Sequence, residues 1–493
     1  MTRNKFVIFL VLYCALHILL RLLVSDSLQT DEAEMVLYFQ QPLSLGYSSQ
    51  PPLYTWLQVS FFKLFGLNIF SLTLLKNSLC FIFYFFLYLC ARQVFKRHIF
   101  AVFSVVSLFP VYNFSWLLHE DLTHSVLLLA LCALSFYLFL RLVFSRKIVY
   151  YPLFGLAAGL GMLAKYNYAV FIVALLLAAL CISSFRKAIL DRRIIFALAP
   201  FCALILPHLA WCLENGGRLM QDAIKFNIGT KGSFTFFLGL NQLSKAVIFF
   251  LLPLIAVYLP CFFQAIKKVT LSTLSKSGIS RFLWLFFVWA LAISAATVIF
   301  TNAGRVKARW LQPVFFLAPL YFFTLIKDAN DHFLRRRLFL SLCIAFALIV
   351  TFSVPGRIVF ATSRGKYNRL NFPYAELSRT IRQNGFERGM IFAENHVMGA
   401  DLKLYFKDSA VVVPDQRFIP PPSEEFTLAL IVRNIKDDPA YRTRPLTKMA
   451  RERGFKRRRH KKTSAKALYR FSSDSYYEIT WKIMVKKLQK GKT

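Results

Sequence analysis

The chain has 493 residues, of which 57% are hydrophobic, and it carries a formal net charge of +37. An ordinary soluble domain is about 45–50% apolar, so this composition excludes a water-soluble globular protein and indicates an integral membrane protein. The 9 cysteines all fall inside apolar runs, which argues against a disulfide framework and against a cysteine metal cluster.

The N-terminal apolar run, residues 6–24, leads into an acidic loop. Arg3 and Lys5 precede the run as in a signal peptide, but the run is long, contains Arg21 and lacks a small-residue cleavage site, so we expect a retained first span. The loop after it carries the carboxylates of Asp26, Asp31, Glu32 and Glu34. Acidic residues beside a membrane span are costly unless they serve a site, so this loop is the first candidate for a functional site.

Apolar runs near 20 residues long predict about eleven transmembrane helices, because the bilayer core requires helices of that length. The predicted spans are residues 6–24, 72–95, 99–117, 123–144, 150–164, 168–184, 194–213, 244–265, 282–300, 313–326 and 338–354. The stretch 57–70 is predicted to continue the first loop along the membrane interface. The expected fold class is therefore a polytopic α-helical membrane protein.

Clusters of Lys and Arg alternate along the chain between these spans. They lie at residues 96–97, 141–147, 186–193, 267–281 and 327–337. The positive-inside rule makes these loops cytoplasmic and places the alternate loops outside. The outer segments are then residues 25–71, 118–122, 165–167, 214–243, 301–312 and 355–493.

The C-terminal region has a different pattern and is expected to be a separate α/β domain. Short β-rich runs at 390–393, 410–413 and 428–432 alternate with polar segments that are compatible with helices. The expected domains are a transmembrane domain, residues 1–354, and an extracytoplasmic domain, residues 355–493, with a basic tail. Its run 451–462 is rich in Arg and Lys, but nucleic acid is not expected outside the cytoplasm. Anionic lipid or lipopolysaccharide phosphate is the preferred partner, with a solvated tail as the alternative.

The outer loops also carry the candidate chemical groups. The acids are Asp31 and Glu32 in the first loop and Glu120 and Asp121 in the second, and the cations are Lys165, Arg305, Lys307 and Arg309. A carboxylate can take a proton from an attacking hydroxyl, and Lys and Arg can hold a phosphate that leaves. Together these groups favour group transfer from a phosphate-linked donor.

Plainer structural roles stay open for these residues. Asp31 can cap a helix, Lys165 can extend from a helix end to the interface, and Arg309 can anchor to lipid headgroups. His119 and His124 suggest zinc, but their spacing is not that of a metal motif, so no metal ligand is assigned.

The order of these motifs resembles that of polytopic lipid-donor glycosyltransferases with the GT-C fold, of the protein-mannosyltransferase type. The matching elements are Asp31-Glu32, Gln50 to Leu57 (QPPLYTWL), Glu120-Asp121, Gly155 to Tyr166 and Arg309-Trp310-Leu311-Gln312-Pro313. The last run is similar to the Arg-Tyr-x-x-Pro element of the family. The resemblance covers most of residues 1–355 and is strongest to lipid A aminoarabinose transferases and rhizobial lipopolysaccharide galacturonosyltransferases.

This resemblance implies a polyprenyl-phosphate sugar donor and an acceptor on lipid A or lipopolysaccharide core. It implies a bacterial inner membrane location, with the active site and the C-terminal domain in the periplasm and with contacts to membrane lipids. It also implies that Asp31 is catalytic, with Glu32, Asp121 and Glu120 as further acid candidates. No cofactor is implied with certainty, and a divalent metal stays open.

One departure from the family concerns the donor phosphate. Some relatives carry Lys before the Pro pair, where this chain has Gln50. Phosphate binding would then rely on Lys165, Arg305, Lys307 and Arg309, with Gln50 and Tyr54 as uncharged ligands. The alternatives are a lipid-linked sugar transporter or flippase and a protein O-glycosyltransferase.

Overall fold

The computed structural model describes residues 3–47, 50–216, 235–269, 278–326, 333–414, 426–434, 443–457 and 463–486. Most of the outer loop expected at 214–243, parts of the basic loops 267–281 and 327–337, and residues 458–462 of the basic run lie outside these described residues. The chain divides into two compact units. Unit 1 comprises Met1–Leu16, Ser44–Tyr54 and Lys76–Thr351, and unit 2 comprises His17–Leu43, Thr55–Leu75 and Phe352–Thr493.

Helices dominate the first three quarters of the chain. In order they are α1 (Arg3–Val24), α2 (Thr30–Tyr38), α3 (Leu53–Phe65), α4 (Ile69–Val94), α5 (His98–Val106), α6 (Trp116–Glu120), α7 (Thr123–Ser145), α8 (Tyr150–Ala164), α9 (Tyr168–Leu180), α10 (Ser183–Ile189), α11 (Ile195–Glu214), α12 (Phe236–Ile266), α13 (Gly278–Phe300), α14 (Gln312–Phe315), α15 (Ala318–Ile326) and α16 (Phe333–Val359). Among the described residues, 7 helices are long and apolar enough to cross a membrane, or 9 if each of two bent helix pairs is one span. The expected polytopic helical membrane protein is therefore confirmed.

Besides the spans at the two bent pairs, two further predicted spans are not single long helices. In the run 99–117, α5 ends at Val106, and turns through Pro110 precede α6, because proline has no N–H to continue a helix. In the run 150–164, α8 has 15 residues, which at 1.5 Å per residue is about 22 Å and shorter than a bilayer core of about 30 Å. Apolar composition thus predicted two continuous spans that the backbone breaks or shortens.

The glycine-rich run is a packing surface between helices α8 and α11. A Cβ atom on Gly155 would lie 1.9 Å from the carbonyl oxygen of Ala197, so only glycine allows the two backbones to approach this closely. Small residues have this role between helices in membranes. Because Lys165 directly follows α8, the same packing fixes the position from which this cation projects.

The C-terminal sheet contains the three strands expected from the sequence and three more. The strands are β1 (Met390–Ala393), β2 (Ala410–Val412), β3 (Leu428–Asn434), β4 (Lys456–Arg457), β5 (Thr463–Leu468) and β6 (Tyr476–Val485). Strand β1 pairs in parallel with β2 and β3, whereas β6 pairs antiparallel with β3, β4 and β5. The expected α/β character of this region is confirmed. Strands β4 to β6 escaped prediction because polar and apolar residues mix in them.

The helices of this region are α17 (Tyr374–Gln383), α18 (His396–Tyr405) and α19 (Thr443–Glu452). Helix α19 covers one sheet face, where Leu446 and Ala450 join Phe392 and Ile431 in a buried cluster. Helix α2, which follows the acidic turn, packs against α18 within unit 2. Unit 2 therefore contains the acidic loop together with the C-terminal sheet.

Candidate active site

A buried ion pair between Arg21 and Glu32 stabilises the acidic loop. Arg21, in the last turn of α1, donates to the carbonyl oxygens of Ser25 (2.7 Å) and Ser27 (2.6 Å) and to Glu32 Oε2 (2.9 Å). Glu32 Oε2 also accepts the backbone N–H of Gln29 at 2.9 Å, as the carboxylate of a capping box does. The two charged side chains are only 13% and 3% exposed. Glu32 thus has a structural task at the start of α2, whereas Asp31 beside it is partly exposed.

We expect Glu32→Ala to destabilise the protein more than Glu34→Ala. Removing Glu32 leaves the Arg21 guanidinium buried without its ion partner, and breaking a buried pair in this way costs about 3–5 kcal/mol. Glu34 is partly exposed and serves as the matched control. The measurement is the melting temperature of the purified protein in detergent. The double change Arg21→Met with Glu32→Leu should recover most of the loss, and equal melting temperatures for the two alanine variants would contradict the structural task.

Asp26 is engaged with the C-terminal part of unit 2. Its Oδ1 accepts from Arg470 at 2.9 Å, and its Oδ2 accepts from the hydroxyl of Tyr405 at 3.0 Å. Burial, followed by the nearby Asp26 carboxylate, raises the pKa of Tyr405 well above its usual range, so this phenol is the donor. Asp26 is therefore a structural acid in this arrangement.

The segment that carries Gln50 and Tyr54 belongs to unit 1. Gln50 is partly exposed, and its backbone N–H donates to the carbonyl oxygen of Tyr47 at 2.9 Å, which closes a tight turn. Tyr54 is fully buried, and its ring centroid lies 5.2 Å from that of His124. The turn thus leaves Gln50 accessible, while the ring of Tyr54 belongs to the interior.

The second outer loop holds its acids at the junction of α6 and α7. Trp116 Nε1 donates to Glu120 Oε2 at 2.6 Å, one helical turn apart, and both Glu120 and Asp121 are partly exposed. His119 Nε2 lies 3.0 Å from the hydroxyl of Tyr13. Over the described ranges there is no group of three or more His, Cys, Asp or Glu side chains that could hold a metal ion, so the zinc interpretation of His119 and His124 finds no further ligand there.

Lys165 connects the third outer loop to the second. Its Nζ donates to Ser125 Oγ at 2.7 Å, and Ser125 is in the first turn of α7, which begins just after Asp121. The ammonium group is partly exposed. Lys165 therefore places its positive charge beside the start of α7, close to Asp121.

Two of the four predicted cations line a cleft in unit 1. The cleft has a volume of about 390 Å³ and is lined by Tyr112, Asn113, Leu117, Phe249, Lys307, Ala308 and Arg309. Arg309 Nε and Asn113 Nδ2 are both buried and have no hydrogen-bond partner in the part of the chain that the structure describes. Buried N–H donors are normally paired, so this cleft offers donors to an anion that would enter it. Arg305 is exposed and is not part of the lining.

The residues after Arg309 hold this arginine in place. Gln312 is fully buried and donates to the carbonyl oxygen of Asn113 at 2.6 Å, and Pro313 lies in the first turn of helix α14. Asn167 Nδ2 donates to the carbonyl oxygen of Trp310 at 3.1 Å. The Arg-Trp-Leu-Gln-Pro run is therefore fixed at two points, and its arginine points into the cleft. Asn113 was not predicted as a site residue, although a polar amide inside the apolar run 99–117 indicates a functional position.

The arrangement provides two kinds of chemistry. In unit 2, Asp31 lies in the first turn of α2, where a partly exposed carboxylate can accept a proton. In unit 1, Lys307 and Arg309 give a cleft with apolar walls a positive charge that suits a lipid phosphate. Glu120, Asp121 and Lys165 form a further polar group around the start of α7.

The chain is similar in sequence to proteins named as glycosyltransferases. The family model described as dolichyl-phosphate-mannose-protein mannosyltransferase matches residues 49–211. Lipopolysaccharide core galacturonosyltransferase RgtA of Rhizobium johnstonii is 31% identical over 418 residues, which cover 82% of this chain and 81% of RgtA. RgtB of the same organism, named for the same activity, is 29% identical over 398 residues, 79% of each chain.

A solved structure shows the same fold over almost the whole chain. ArnT from Cupriavidus metallidurans, crystallised with undecaprenyl phosphate, superposes with a TM-score of 0.63 and covers 97% of this chain and 98% of ArnT, at 13% sequence identity. The apo form of ArnT gives a TM-score of 0.59. The extent of the RgtA match and this shared architecture lead to one conclusion: the chain belongs to the family of multi-pass GT-C membrane glycosyltransferases that includes RgtA and RgtB.

Proposed function

We propose that this enzyme transfers a sugar from a polyprenyl-phosphate donor to lipid A or lipopolysaccharide core. The cleft of Lys307 and Arg309 carries the proposal, because it combines positive charge with the apolar side chains of Leu117 and Phe249. It also offers buried N–H donors that have no partner among the described residues. These are the features that a phosphate on a long hydrocarbon chain requires. RgtA and RgtB are named as lipopolysaccharide core galacturonosyltransferases, so galacturonic acid is the first sugar to test.

The proposed reaction is a displacement at the anomeric carbon with inversion. Asp31 takes the proton of the acceptor hydroxyl, and the oxygen attacks the anomeric carbon as its bond to the phosphate oxygen breaks. The bonding electrons leave with the polyprenyl phosphate. Arg309 and Lys307 stabilise the charge that develops on this leaving group through charge-assisted hydrogen bonds. Lys165 and Gln50 are further phosphate ligands in this proposal.

The proposed location is the bacterial inner membrane, with the N-terminus in the cytoplasm and the candidate site and residues 355–493 in the periplasm. Residues 1–354 would be the membrane transferase domain. Alternating basic loops support this orientation. The same alternation requires the broken segment of α5 and α6, and the short helix α8, to cross as well, which makes about eleven crossings.

The orientation predicts the result of reporter fusions. A fusion after Arg97 should report the cytoplasm, because this residue lies in a basic loop, and fusions after Asn167 and Pro355 should report the periplasm. Alkaline phosphatase and a fluorescent protein provide complementary readouts at each point. A cytoplasmic signal from the Pro355 fusion would contradict the proposed location of Asp31 and the C-terminal region.

The proposed activity is tested with purified protein in lipid vesicles. Polyprenyl phosphate should be released from a polyprenyl-phosphate galacturonic acid donor when lipopolysaccharide core is added, and the product should gain the mass of one hexuronic acid. Donors with aminoarabinose or a neutral hexose define the sugar, and a peptide acceptor tests protein glycosylation. Movement of donor between leaflets without acceptor-dependent release would instead identify a flippase.

A further inference from the structure

The acidic loop is bound along its length by the C-terminal part of unit 2. Ser25 Oγ donates to the carbonyl oxygen of Leu370 (2.6 Å), and Ser27 Oγ donates to that of Phe372 (2.7 Å). The Leu28 N–H donates to Asp401 Oδ1 (2.9 Å). Arg470 donates to Asp26 (2.9 Å) and to the carbonyl oxygen of Leu23 (3.0 Å). Gln40, after α2, exchanges two hydrogen bonds of 2.9 Å with the backbone of Val411. Each of these bonds joins two residues that are at least 345 positions apart in the sequence.

Asp401 differs from the other partners because it is a fully buried acid. Its exposed fraction is 0%, and its Oδ1 accepts the Leu28 N–H while its Oδ2 is buried with no hydrogen-bond partner among the described residues. Burying a carboxyl with one oxygen unpaired is costly, and an apolar side chain would avoid that cost. The free energy that offsets this cost must therefore come from the hydrogen bond that Asp401 makes with the acidic loop.

That bond lies next to the proposed catalytic acid. The backbone N–H groups of Leu28 and Gln29 are bound by two different carboxylates, those of Asp401 and Glu32 respectively. Gln29 is the N-cap residue of α2, and Asp31 lies in the first turn of this helix. Two consecutive peptide groups are thus held at the start of α2, and Asp31 is two residues beyond the second of them.

We propose that Asp401 is a positioning residue, which through the Leu28 N–H orients the first turn of α2 so that Asp31 meets the acceptor hydroxyl. The inference rests on the proposed function, because it takes Asp31 as the acid that accepts the proton. It gives the C-terminal region a task in the reaction beyond that of a separate soluble domain. Misplacing a reacting group by about 1 Å can cost about 10²-fold in rate, so an effect on turnover is expected.

A change of pH gives a second readout of Asp401. Burial raises the pKa of Asp401 above its ordinary value. The hydrogen bond from the Leu28 N–H and the charge of Arg21 lower the pKa, whereas the nearby Asp26 and Glu32 raise it. An acid whose pKa is raised on folding stabilises the fold below its unfolded pKa, and this contribution is lost as the pH rises through the folded pKa. The tyrosines whose pKa Asp401 also raises are Tyr374, Tyr405 and Tyr477.

The experiment compares Asp401→Leu with Asp401→Asn in the full-length protein. Leucine fills the buried site without a polar cost but cannot accept the Leu28 N–H, whereas asparagine keeps the acceptor oxygen. Asp401→Leu should therefore stay folded with kcat lowered by about 10–100-fold and with the donor KM nearly unchanged. Asp401→Asn should keep a kcat near that of the wild type and should reduce the loss of melting temperature as the pH rises above the ordinary pKa of an aspartate. Asp408→Leu, at an exposed acid of the same region, is the control.

Two results would overturn the inference. Wild-type kcat in Asp401→Leu would show that the bond to Leu28 does not orient Asp31. Equal loss of kcat in the leucine and asparagine variants would show that the acceptor oxygen is not what matters. Asp31→Asn is measured in parallel: if it is inactive and Asp401→Leu is fully active, only the positioning role fails, whereas an active Asp31→Asn removes the proposed acid and this inference with it.

Discussion

Replacing Asp31 by Asn is expected to slow sugar transfer by about 10²–10⁴-fold while leaving the protein folded. Asparagine has nearly the volume of aspartate and the same ability to accept a hydrogen bond near a helix start, so a purely structural role predicts near-normal activity. What asparagine cannot do is take the proton of the acceptor hydroxyl. The measurement is sugar transfer in purified membranes, normalised to the amount of protein and followed by mass spectrometry of the product.

Two neighbouring acids serve as comparisons for Asp31. Asp121→Asn should reduce activity in the same direction but less, because Asp121 lies in the polar group at the start of α7. Glu34→Gln, in the same helix as Asp31, should be close to neutral. Full activity in Asp31→Asn would move the catalytic role to Glu32 or Asp121. Full activity in both the Asp31 and the Asp121 variants would show that neither acid takes the proton of the acceptor hydroxyl.

The second large effect is expected at Arg309, whose replacement by Ala should raise the apparent KM for the donor by about 10–100-fold. Hydrogen bonds to a charged group contribute about 1.5–3 kcal/mol, and each 1.4 kcal/mol corresponds to a tenfold change. Arg309 is a wall of the cleft, and its Nε is buried and unpaired within the described part of the chain. The measurement is transfer rate against donor concentration at saturating acceptor.

The matched control for Arg309→Ala is Arg305→Ala, because Arg305 is exposed and lies outside the cleft lining. Arg309→Lys should recover part of the affinity, since lysine keeps the charge but lacks the guanidinium geometry. Lys165→Ala should also weaken donor use. If Arg309→Ala and Arg305→Ala have the same donor KM as the wild type, the cleft does not hold the phosphate and Arg309 anchors lipid headgroups instead.

The family of this chain could be predicted from the sequence because the order of its motifs carries information. Asp31-Glu32, the Gln-Pro-Pro turn and the Arg309 run stand in the order of the family, and the match to RgtA over 82% of the chain agrees with this. The roles of individual residues were less accessible. Glu32 and Asp31 are adjacent and chemically similar, yet Glu32 is bound by Arg21 while Asp31 is partly exposed, and only the backbone path between α1 and α2 creates that difference.

By itself, the sequence determined the class of protein and its local elements. The apolar runs require a membrane, because no aqueous core would accommodate them, and strands β1 to β3 are recognisable because buried parallel strands are short apolar runs. Such features depend on composition and on neighbours along the chain. The break at Pro110 also depends on local sequence. A continuous span was predicted there because the apolar composition of the run was given more weight than its proline.

Only the tertiary structure decided which distant residues meet. The bond between Leu28 and Asp401 joins residues 373 positions apart, and the cleft brings Asn113 next to Arg309. Neither pairing leaves a local signature, because a hydrogen bond depends on where two peptide segments lie in space and not on the spacing of residue types. The tertiary fold therefore decided that Glu32 is bound by Arg21 and Asp26 by Arg470, whereas Asp31 and Glu34 are partly exposed.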